Sequence, residues 1–207
     1  RVLMWELYNE PGHGIGENGD MGSSKKTRTA IGDKSAQLVY DSWVWAREVN
    51  PSQPITSCTA GAIGLNNKAI NRLNSDVHSI HCYKKADEFK ALIEDFQRDG
   101  RPVIMTEWLA RTEGNTPEAV LPMMKEMNVG AVCWGFVSGK SGTIWAWSSR
   151  LVDGKRRSLI QERKDGNVVR EGEAMPEPEL WFHDLFRADG TPYKSSEVEL
   201  FQKLTDK

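Results

Sequence analysis

The sequence has little of what would assign its class at once. Over 207 residues, 27 Lys and Arg nearly balance 29 Asp and Glu, and a formal net charge of −2 offers no cationic surface for nucleic acid. No run of about eighteen apolar residues is present, so we expect no segment that spans a membrane. The three cysteines, Cys58, Cys82 and Cys133, are too widely spaced for a disulfide framework or a CxxC zinc site. We expect small buried thiols, and no pattern in the sequence indicates a metal or a cofactor.

The sequence begins with Arg1, inside an apparent strand, and shows neither an initiator methionine nor a leader. The absence of a signal peptide therefore says nothing about localisation. The compartment stays open, with a secreted or periplasmic location slightly favoured. We expect the natural protein to continue before Arg1.

Short apolar segments alternate with segments of helical periodicity along the chain. Strands are predicted at residues 2–5, 54–58, 76–83, 102–108 and 130–136. Helices are predicted at residues 33–49, 67–73, 86–98, 117–127 and 195–204. A strand–helix repeat of this kind favours a parallel sheet with helical crossovers.

The length of the repeat distinguishes a barrel from an open sheet. Glu10 and Glu107 end the first and fourth strands and are 97 residues apart over three units, or about 32 residues per unit. A (β/α)8 barrel of roughly 250 residues has about 31 per unit. No Gly-rich phosphate turn follows any strand, which disfavours an open nucleotide-binding sheet. We therefore predict the α/β class and a partial TIM (β/α)8 barrel of about five units.

Two regions interrupt the repeat. Residues 12–32 are rich in Gly, Ser, Asn and charge, which is typical of a long loop; within them, residues 16–20 resemble a calcium loop but fail the EF-hand spacing. Residues 143–175 carry Asp153-Gly154 and Asp165-Gly166, dipeptides that favour a β-hairpin insertion before the last helix. The whole of residues 1–207 is predicted to be a single domain.

Polar and aromatic side chains gather where the predicted strands end. In a barrel these ends converge on one face, and the candidates there are Glu10, His81, Tyr83, Glu107 and Trp134. Two carboxylates beside an imidazole and aromatic rings suit glycoside hydrolysis, in which one carboxylic acid protonates the leaving oxygen while the other attacks or activates water. The unusual total of eight tryptophans also suits flat sugar rings.

Each of these residues has an ordinary structural interpretation as well. An isolated Glu at a strand end is usually solvated, His81 alone is more often a structural side chain, and Trp134 alone is more often core. Two glutamates in the same register of the repeat make that interpretation less favoured. Cys82 lies between His81 and Tyr83 and should point the other way, which disfavours a Cys–His nucleophile.

Four segments resemble clan A glycoside hydrolases, the family 5-like retaining (β/α)8 enzymes. Residues 5–11, Trp-Glu-Leu-Tyr-Asn-Glu-Pro, resemble the Asn-Glu-Pro signature that ends their fourth strand. Residues 80–83 resemble their sixth-strand His-x-Tyr, residues 102–108 their seventh-strand nucleophile segment, and Trp134 their eighth-strand tryptophan. The resemblance covers about residues 2–137 and is specific to the clan rather than to one family.

The resemblance implies a role for each candidate residue. Glu10 would be the general acid/base, and Glu107 the nucleophile that forms a glycosyl-enzyme. Retention implies carboxyl groups about 5–5.5 Å apart, with the pKa of Glu10 raised and that of Glu107 low. The other residues would bind the sugar or support the carboxylates: Asn9 at the 2-hydroxyl, His81 on the acid/base side, Tyr83 bonded to Glu107, and Trp134 as the platform of the −1 subsite.

The resemblance also leaves part of a barrel unaccounted for. It makes the first strand here the fourth of eight, so three units, roughly 95 residues, are missing. An Arg on the second strand and a His on the third have no counterpart either. We expect strands four to eight of a catalytic barrel, closed by a helix within residues 181–204, with the missing N-terminal half as its partner. Such a fragment is expected to be poorly active or inactive alone.

The leading hypothesis is retaining hydrolysis of O-glycosidic bonds in a β-linked polysaccharide or oligosaccharide. One alternative is a catalytically silent carbohydrate-binding barrel fragment. Another is a metal-dependent lyase or hydrolase with His78 and His81 as ligands, but residues three apart in a strand point to opposite faces. The expected partner is a carbohydrate substrate, not nucleic acid or a membrane.

Overall fold

A computed structural model describes residues 1–12, 35–60, 64–139, 141–146 and 177–205 of the chain. Its strands are β1 (Trp5–Glu6), β2 (Ile55–Thr56), β3 (His78–His81), β4 (Val103–Glu107) and β5 (Gly130–Ala131). Its helices are α1 (Ala36–Val49), α2 (Leu65–Asn74), α3 (Ala86–Gln97), α4 (Pro117–Glu126) and α5 (Ser195–Thr205), with a 3-10 turn at Arg111–Glu113. The described helices include none that is long and apolar enough to cross a membrane.

The chain divides into two compact units. The first unit holds Arg1–Cys82, Lys90–Glu107 and Val129–Val132, and the second holds Tyr83–Phe89, Trp108–Asn128 and Cys133–Lys207. All five strands belong to the first unit, whereas α4, α5 and the 3-10 turn belong to the second. Each unit has its own core.

The strands of the first unit are parallel and follow one another in chain order. β1 pairs with β2, and β4 lies between β3 and β5. The chain beyond β2 extends the order to β3, because the N–H of Thr59 donates to the carbonyl of Ser79 (2.9 Å) and the N–H of His81 donates to that of Ala60 (2.7 Å). The parallel α/β arrangement predicted from the strand–helix repeat is therefore present.

Three finer predictions have different outcomes. Among the described residues β1 and β5 each pair on one side only, so barrel closure is not shown and the partial (β/α)8 barrel stays a prediction. The final helix predicted at residues 195–204 is present as α5, Ser195–Thr205. Of the insertion expected at residues 143–175, residues 143–146 contain no strand; the rest lies outside the described residues, as do residues 16–20.

Local sequence explains where the helices begin and end. α4 starts after Thr116, whose side-chain oxygen accepts a hydrogen bond from the N–H of Ala119 at 3.3 Å, and Pro117 occupies its first position. α1 ends at Asn50, which has a left-handed φ of +50° and precedes Pro51. Both boundaries match those predicted from the sequence.

The core of the first unit lies between α1 and β2. Val39, Trp43 and Ile55 form its buried cluster. The indole N–H of Trp43 donates to the side chain of Asn71 (2.9 Å), whose amide donates to the carbonyl of Cys58 (2.8 Å). This buried polar link fixes the segment after β2, which carries Cys58 into the candidate site.

The second unit has a separate core around the segment that follows β4. Ala110, Ala146 and Phe182 are buried together. The ring of Trp108 stacks on that of Phe201, with centroids 5.8 Å apart. This stacking holds α5 against the residues that leave β4.

Candidate active site

Glu10 follows β1 in a backbone conformation that L-residues rarely adopt. Its φ is +43°, in the left-handed region where Cβ crowds a carbonyl oxygen. Pro11 follows and is buried, and its ring restricts the preceding residue further. Strain of this kind costs on the order of 1–3 kcal/mol and clusters at functional sites. The backbone therefore supports the functional role that the sequence predicts for Glu10.

A register shift in β4 brings Glu107 opposite His81. Ile80 pairs with Met105, but His81 pairs with Glu107, so Thr106 is skipped. A bulge of this kind re-aims a side chain and is common beside active sites. The last residue of β3, His81, is thus paired with the last residue of β4, Glu107.

The imidazole of His81 lies between the carboxylates of Glu10 and Glu107. Its Nδ1 is 2.8 Å from Oε1 of Glu10 and 3.2 Å from Oε2 of Glu107. One ring nitrogen and one oxygen of each carboxylate all lie within 4.8 Å of one another. When both carboxylates are ionised they only accept hydrogen bonds, and in that state Nδ1 carries the proton that both of them share.

The three side chains differ in their access to solvent. The exposed fraction is 3% for His81, 12% for Glu107 and 25% for Glu10. Two carboxylates at this distance repel each other when both are ionised, and the shared N–H reduces that repulsion. The arrangement therefore places a carboxyl group able to exchange protons with solvent beside one that is more enclosed.

Glu6 is a third carboxylate of this region, and the sequence analysis missed it. The hydroxyl of Ser79 donates to its Oε1 at 3.0 Å, and Glu6, Cys58 and His81 bring three ligand atoms within 4.8 Å of one another. Although the residue as a whole is exposed, burial around the carboxyl group raises the pKa of Glu6, against the lowering effects of Ser79 and His81. The sequence feature that could have indicated Glu6 is a charged residue between Trp5 and Leu7 in an otherwise apolar strand.

Cys58 is the second residue near the site that was not predicted from the sequence. It is fully buried, and its Sγ donates to the carbonyl of Ala60 at 3.2 Å. Burial strongly raises the pKa of the Cys58 thiol; a hydrogen bond from the backbone of Glu10 opposes this, and the nearby carboxylates add to it. The thiol is therefore held protonated, which makes Cys58 a poor nucleophile.

The remaining predicted residues are Asn9, in the first unit, and Tyr83 and Trp134, in the second. Asn9 is exposed next to Glu10. Tyr83 and Trp134 belong to the second unit, where Tyr83 packs near His183 with ring centroids 5.6 Å apart and Trp134 is 46% exposed. The roles of Asn9, Tyr83 and Trp134 at the sugar stay predictions.

His78 points away from this cluster. It is buried, its ring lies 5.1 Å from that of Phe96, and its Nε2 is 3.0 Å from Oδ2 of Asp99. Burial lowers the pKa of His78, while Asp99 opposes that shift. A metal held by both His78 and His81 is therefore not supported.

Comparison with known proteins gives no assignment. No family model matches the sequence, and no curated protein matches it. A solved structure of PfGH50B is similar with a TM-score of 0.41 and 11% identity, covering 90% of this chain and 27% of that one. An exo-beta-agarase is similar with a TM-score of 0.40 and 12% identity, covering 86% of this chain and 24% of that one. The chain thus spans about a quarter of the length of either structure, and similarity at this level assigns neither family nor function.

Proposed function

We propose that this chain carries the two catalytic carboxylates of a retaining glycoside hydrolase that acts on a β-linked polysaccharide or oligosaccharide. The supporting observation is that Glu10, which follows β1, and Glu107, the last residue of β4, bring carboxylate oxygens within 4.8 Å of each other around His81. Retaining enzymes have carboxyl groups about 5–5.5 Å apart, whereas inverting enzymes need about 6.5–9.5 Å to admit a water. The separation favours retention.

The exposures of the two carboxylates favour one division of roles. Glu107, 12% exposed, attacks the anomeric carbon while Glu10, 25% exposed, protonates the leaving oxygen. A glycosyl-enzyme ester forms on Glu107. Glu10 then takes a proton from the water that attacks this ester, and the more open carboxylate is the one that must exchange protons with leaving group and water.

His81 would position both carboxylates and follow the change of charge. Before the first step its Nδ1–H is shared by two acceptors. Once Glu107 is esterified its negative charge is gone, so the N–H bonds mainly to Glu10 and supports its ionised form. This matches the moment at which Glu10 acts as a base.

The remaining features of the proposal rest on the resemblance to clan A, family 5-like enzymes. Asn9 would bind the 2-hydroxyl, Tyr83 would bond to Glu107, and Trp134 would carry the sugar ring. The unpaired sides of β1 and β5 among the described residues suit further strands of a barrel, which we propose as the partner of these five.

The roles are tested by the leaving-group dependence of two variants. Glu107→Ala should lose hydrolysis of every substrate, whereas Glu10→Ala should lose far more activity on an unactivated glycoside than on an aryl glycoside with an acidic phenol, because only the former needs a proton. General acid catalysis contributes about 10²–10⁴-fold. Glu126→Ala, at the exposed end of α4, is the matched control.

A direct test traps the intermediate. A 2-fluoro glycoside with a good leaving group should add one sugar to the peptide that contains Glu107, detected by mass spectrometry. Labelling of another residue, or full activity in Glu107→Ala, would contradict the assignment. Saturable glycan binding without turnover or labelling would instead identify a silent carbohydrate-binding protein.

A second candidate function, metal-dependent hydrolysis, is favoured by one observation. Glu10, His81 and Glu107 present two oxygens and one nitrogen within 4.8 Å, a donor set that suits a divalent metal. Activity that disappears with EDTA and returns with a divalent metal would identify this function. A retaining glycosidase that uses its carboxylates directly keeps its activity in EDTA.

A further inference from the structure

The candidate site is built from atoms that a four-coordinate metal could bind with little movement. The oxygens of Glu10 and Glu107 lie 2.8 and 3.2 Å from Nδ1 of His81. Zinc binds nitrogen and oxygen ligands at about 2.0–2.2 Å in tetrahedral geometry, which places ligand atoms about 3.4 Å apart. The two separations from Nδ1 need only a slight widening, and the separation between the two carboxylate oxygens is at most 4.8 Å.

We propose that Glu10, His81 and Glu107 form a Zn²⁺ site and that the bound ion inhibits the hydrolase. The inhibition rests on the proposed function, whereas the binding of zinc does not. Two carboxylates and a neutral imidazole balance the double charge of the ion. Three protein ligands leave the fourth position to water.

Binding requires the proton on Nδ1 to leave, since a ring nitrogen ligates a metal only through its lone pair. The proton moves to the other ring nitrogen, so the imidazole stays neutral and no bond other than Nδ1–H breaks. The carboxylates keep their charges and exchange a shared hydrogen bond for the metal. The product is a neutral cluster in place of one with excess negative charge.

Zinc in this position would block both catalytic steps. The lone pair with which Glu107 attacks the anomeric carbon would be held by the metal. Glu10 could not carry the proton for the leaving oxygen while it ligates zinc. Inhibition should therefore follow occupancy of the site, one ion for each chain.

A neighbouring donor set shares His81 but is less suited to the ion. Glu6, Cys58 and His81 also place ligand atoms within 4.8 Å. The thiol of Cys58 already donates to the carbonyl of Ala60 at 3.2 Å. Cys58 is also fully enclosed, whereas Glu10 is open to solvent. Zinc is therefore expected on the side of Glu10 and Glu107.

Binding is measured by titrating Zn²⁺ into EDTA-treated, desalted protein in competition with a chromophoric chelator. We expect one site per chain, with affinity lowered about tenfold or more in Glu10→Gln and in Glu107→Gln, since even the loss of an outer-shell partner costs that much. Cys58→Ser is the matched control and should bind zinc as the wild type does. Mg²⁺ and Ca²⁺, which prefer all-oxygen sites, should not compete.

Cobalt spectra of the wild-type protein give a test that needs no variant to fold. Co²⁺ in the proposed site should show d–d bands without the intense near-ultraviolet charge-transfer band of a thiolate ligand. A thiolate band, no saturable binding, or an affinity that falls in Cys58→Ser but not in Glu107→Gln would overturn the proposed site.

The inhibition is tested separately with an aryl glycoside. Hydrolysis by the metal-free protein should fall along the zinc-binding curve and return on addition of EDTA. Hydrolysis that continues with the site filled, or that requires zinc, would overturn inhibition. Because this chain alone is expected to be poorly active, hydrolysis is measured with the chain joined to the further strands proposed as its partner. No hydrolysis in either metal-free or zinc-loaded form would then refute the proposed function, while the binding and cobalt results would still decide the metal site.

Discussion

The buried ion pair between Arg111 and Glu197 carries the largest predictable stability effect in the second unit. Both side chains are fully enclosed. Nε and Nη2 of Arg111 donate to the two carboxylate oxygens at 2.9 and 2.5 Å. This two-bond geometry is the strongest that an Arg–carboxylate pair can adopt, and it ties the 3-10 turn to α5.

Arg111 also organises a segment that has no regular structure. Its guanidinium donates to the main-chain carbonyls of Trp181 (3.1 Å), His183 and Asp184 (3.0 Å). Removing the side chain therefore leaves a buried carboxylate and three carbonyl groups without this donor. Truncation of one partner of a buried pair costs about 3–5 kcal/mol.

The magnitude for Arg111→Met follows from these contacts. Lys194 lies 3.4 Å from Glu197 and can partly compensate the charge, so we expect a loss of about 3–4 kcal/mol rather than the top of the range. In the double variant Arg111→Met/Glu197→Leu no charge is left unpaired and buried, so the loss of stability should be smaller than in Arg111→Met and should come from the carbonyl groups alone.

Urea unfolding followed by tryptophan fluorescence measures both variants. Lys90→Met is the control, because Lys90 and Glu94 form an exposed pair (56% and 48%) and should contribute below about 1 kcal/mol. The reasoning is refuted when Arg111→Met loses less than about 1 kcal/mol, or when the double variant is less stable than the single one.

Three further effects follow from backbone geometry and burial. Gly135→Ala should destabilise by about 2 kcal/mol or more, because φ is +88° and the new Cβ would lie 2.6 Å from a backbone nitrogen; Gly139→Ala, with open space, should be near neutral by urea unfolding. Glu10→Gly should be about 1–2 kcal/mol more stable than Glu10→Ala, since both lack the carboxylate and only Gly relieves the positive φ. Burial raises the pKa of Glu6 in the folded protein, because it disfavours the charged carboxylate. The protein is therefore more stable at a pH below the ordinary pKa of a glutamate, where Glu6 is protonated, and this stability is lost as pH rises through the pKa of Glu6 in the folded protein. The stability of Glu6→Gln relative to the wild type should therefore be higher at pH 7 than at pH 4, as measured by the urea midpoints of both proteins at each pH.

The meeting of Glu10 and Glu107 was predictable because it depends on the repeat. Apolar strands alternating with periodic helices place strand ends at one edge of a parallel sheet; Glu107 ends β4, and Glu10 follows β1. The position of His81 between the two carboxylates was only partly predictable. Its pairing with Glu107 depends on the skipped residue Thr106 in β4, and a register shift of this kind leaves no mark in apolar periodicity.

The residues missed by the sequence share a cause. Cys58 resembles any small buried side chain, and its closeness to His81 depends on the hydrogen bond that Asn71 makes to its carbonyl. Glu6 is linked to the site by the hydrogen bond from Ser79, which lies 73 residues later in the chain. In both cases a contact between distant segments, which local sequence does not reveal, places the residue.

The cluster around His81 has more negative charge than a structural role requires. One carboxylate would satisfy the Nδ1–H, yet Glu10 and Glu107 both contact it and Glu6 lies close by. Glu10 is held there with a backbone strain on the order of 1–3 kcal/mol, and burial disfavours the charge on Glu6. Each of these features lowers stability without improving packing. Catalysis or ion binding would account for a cluster that is strained, charged and open on one side. Glu10 takes part in both of these proposed roles.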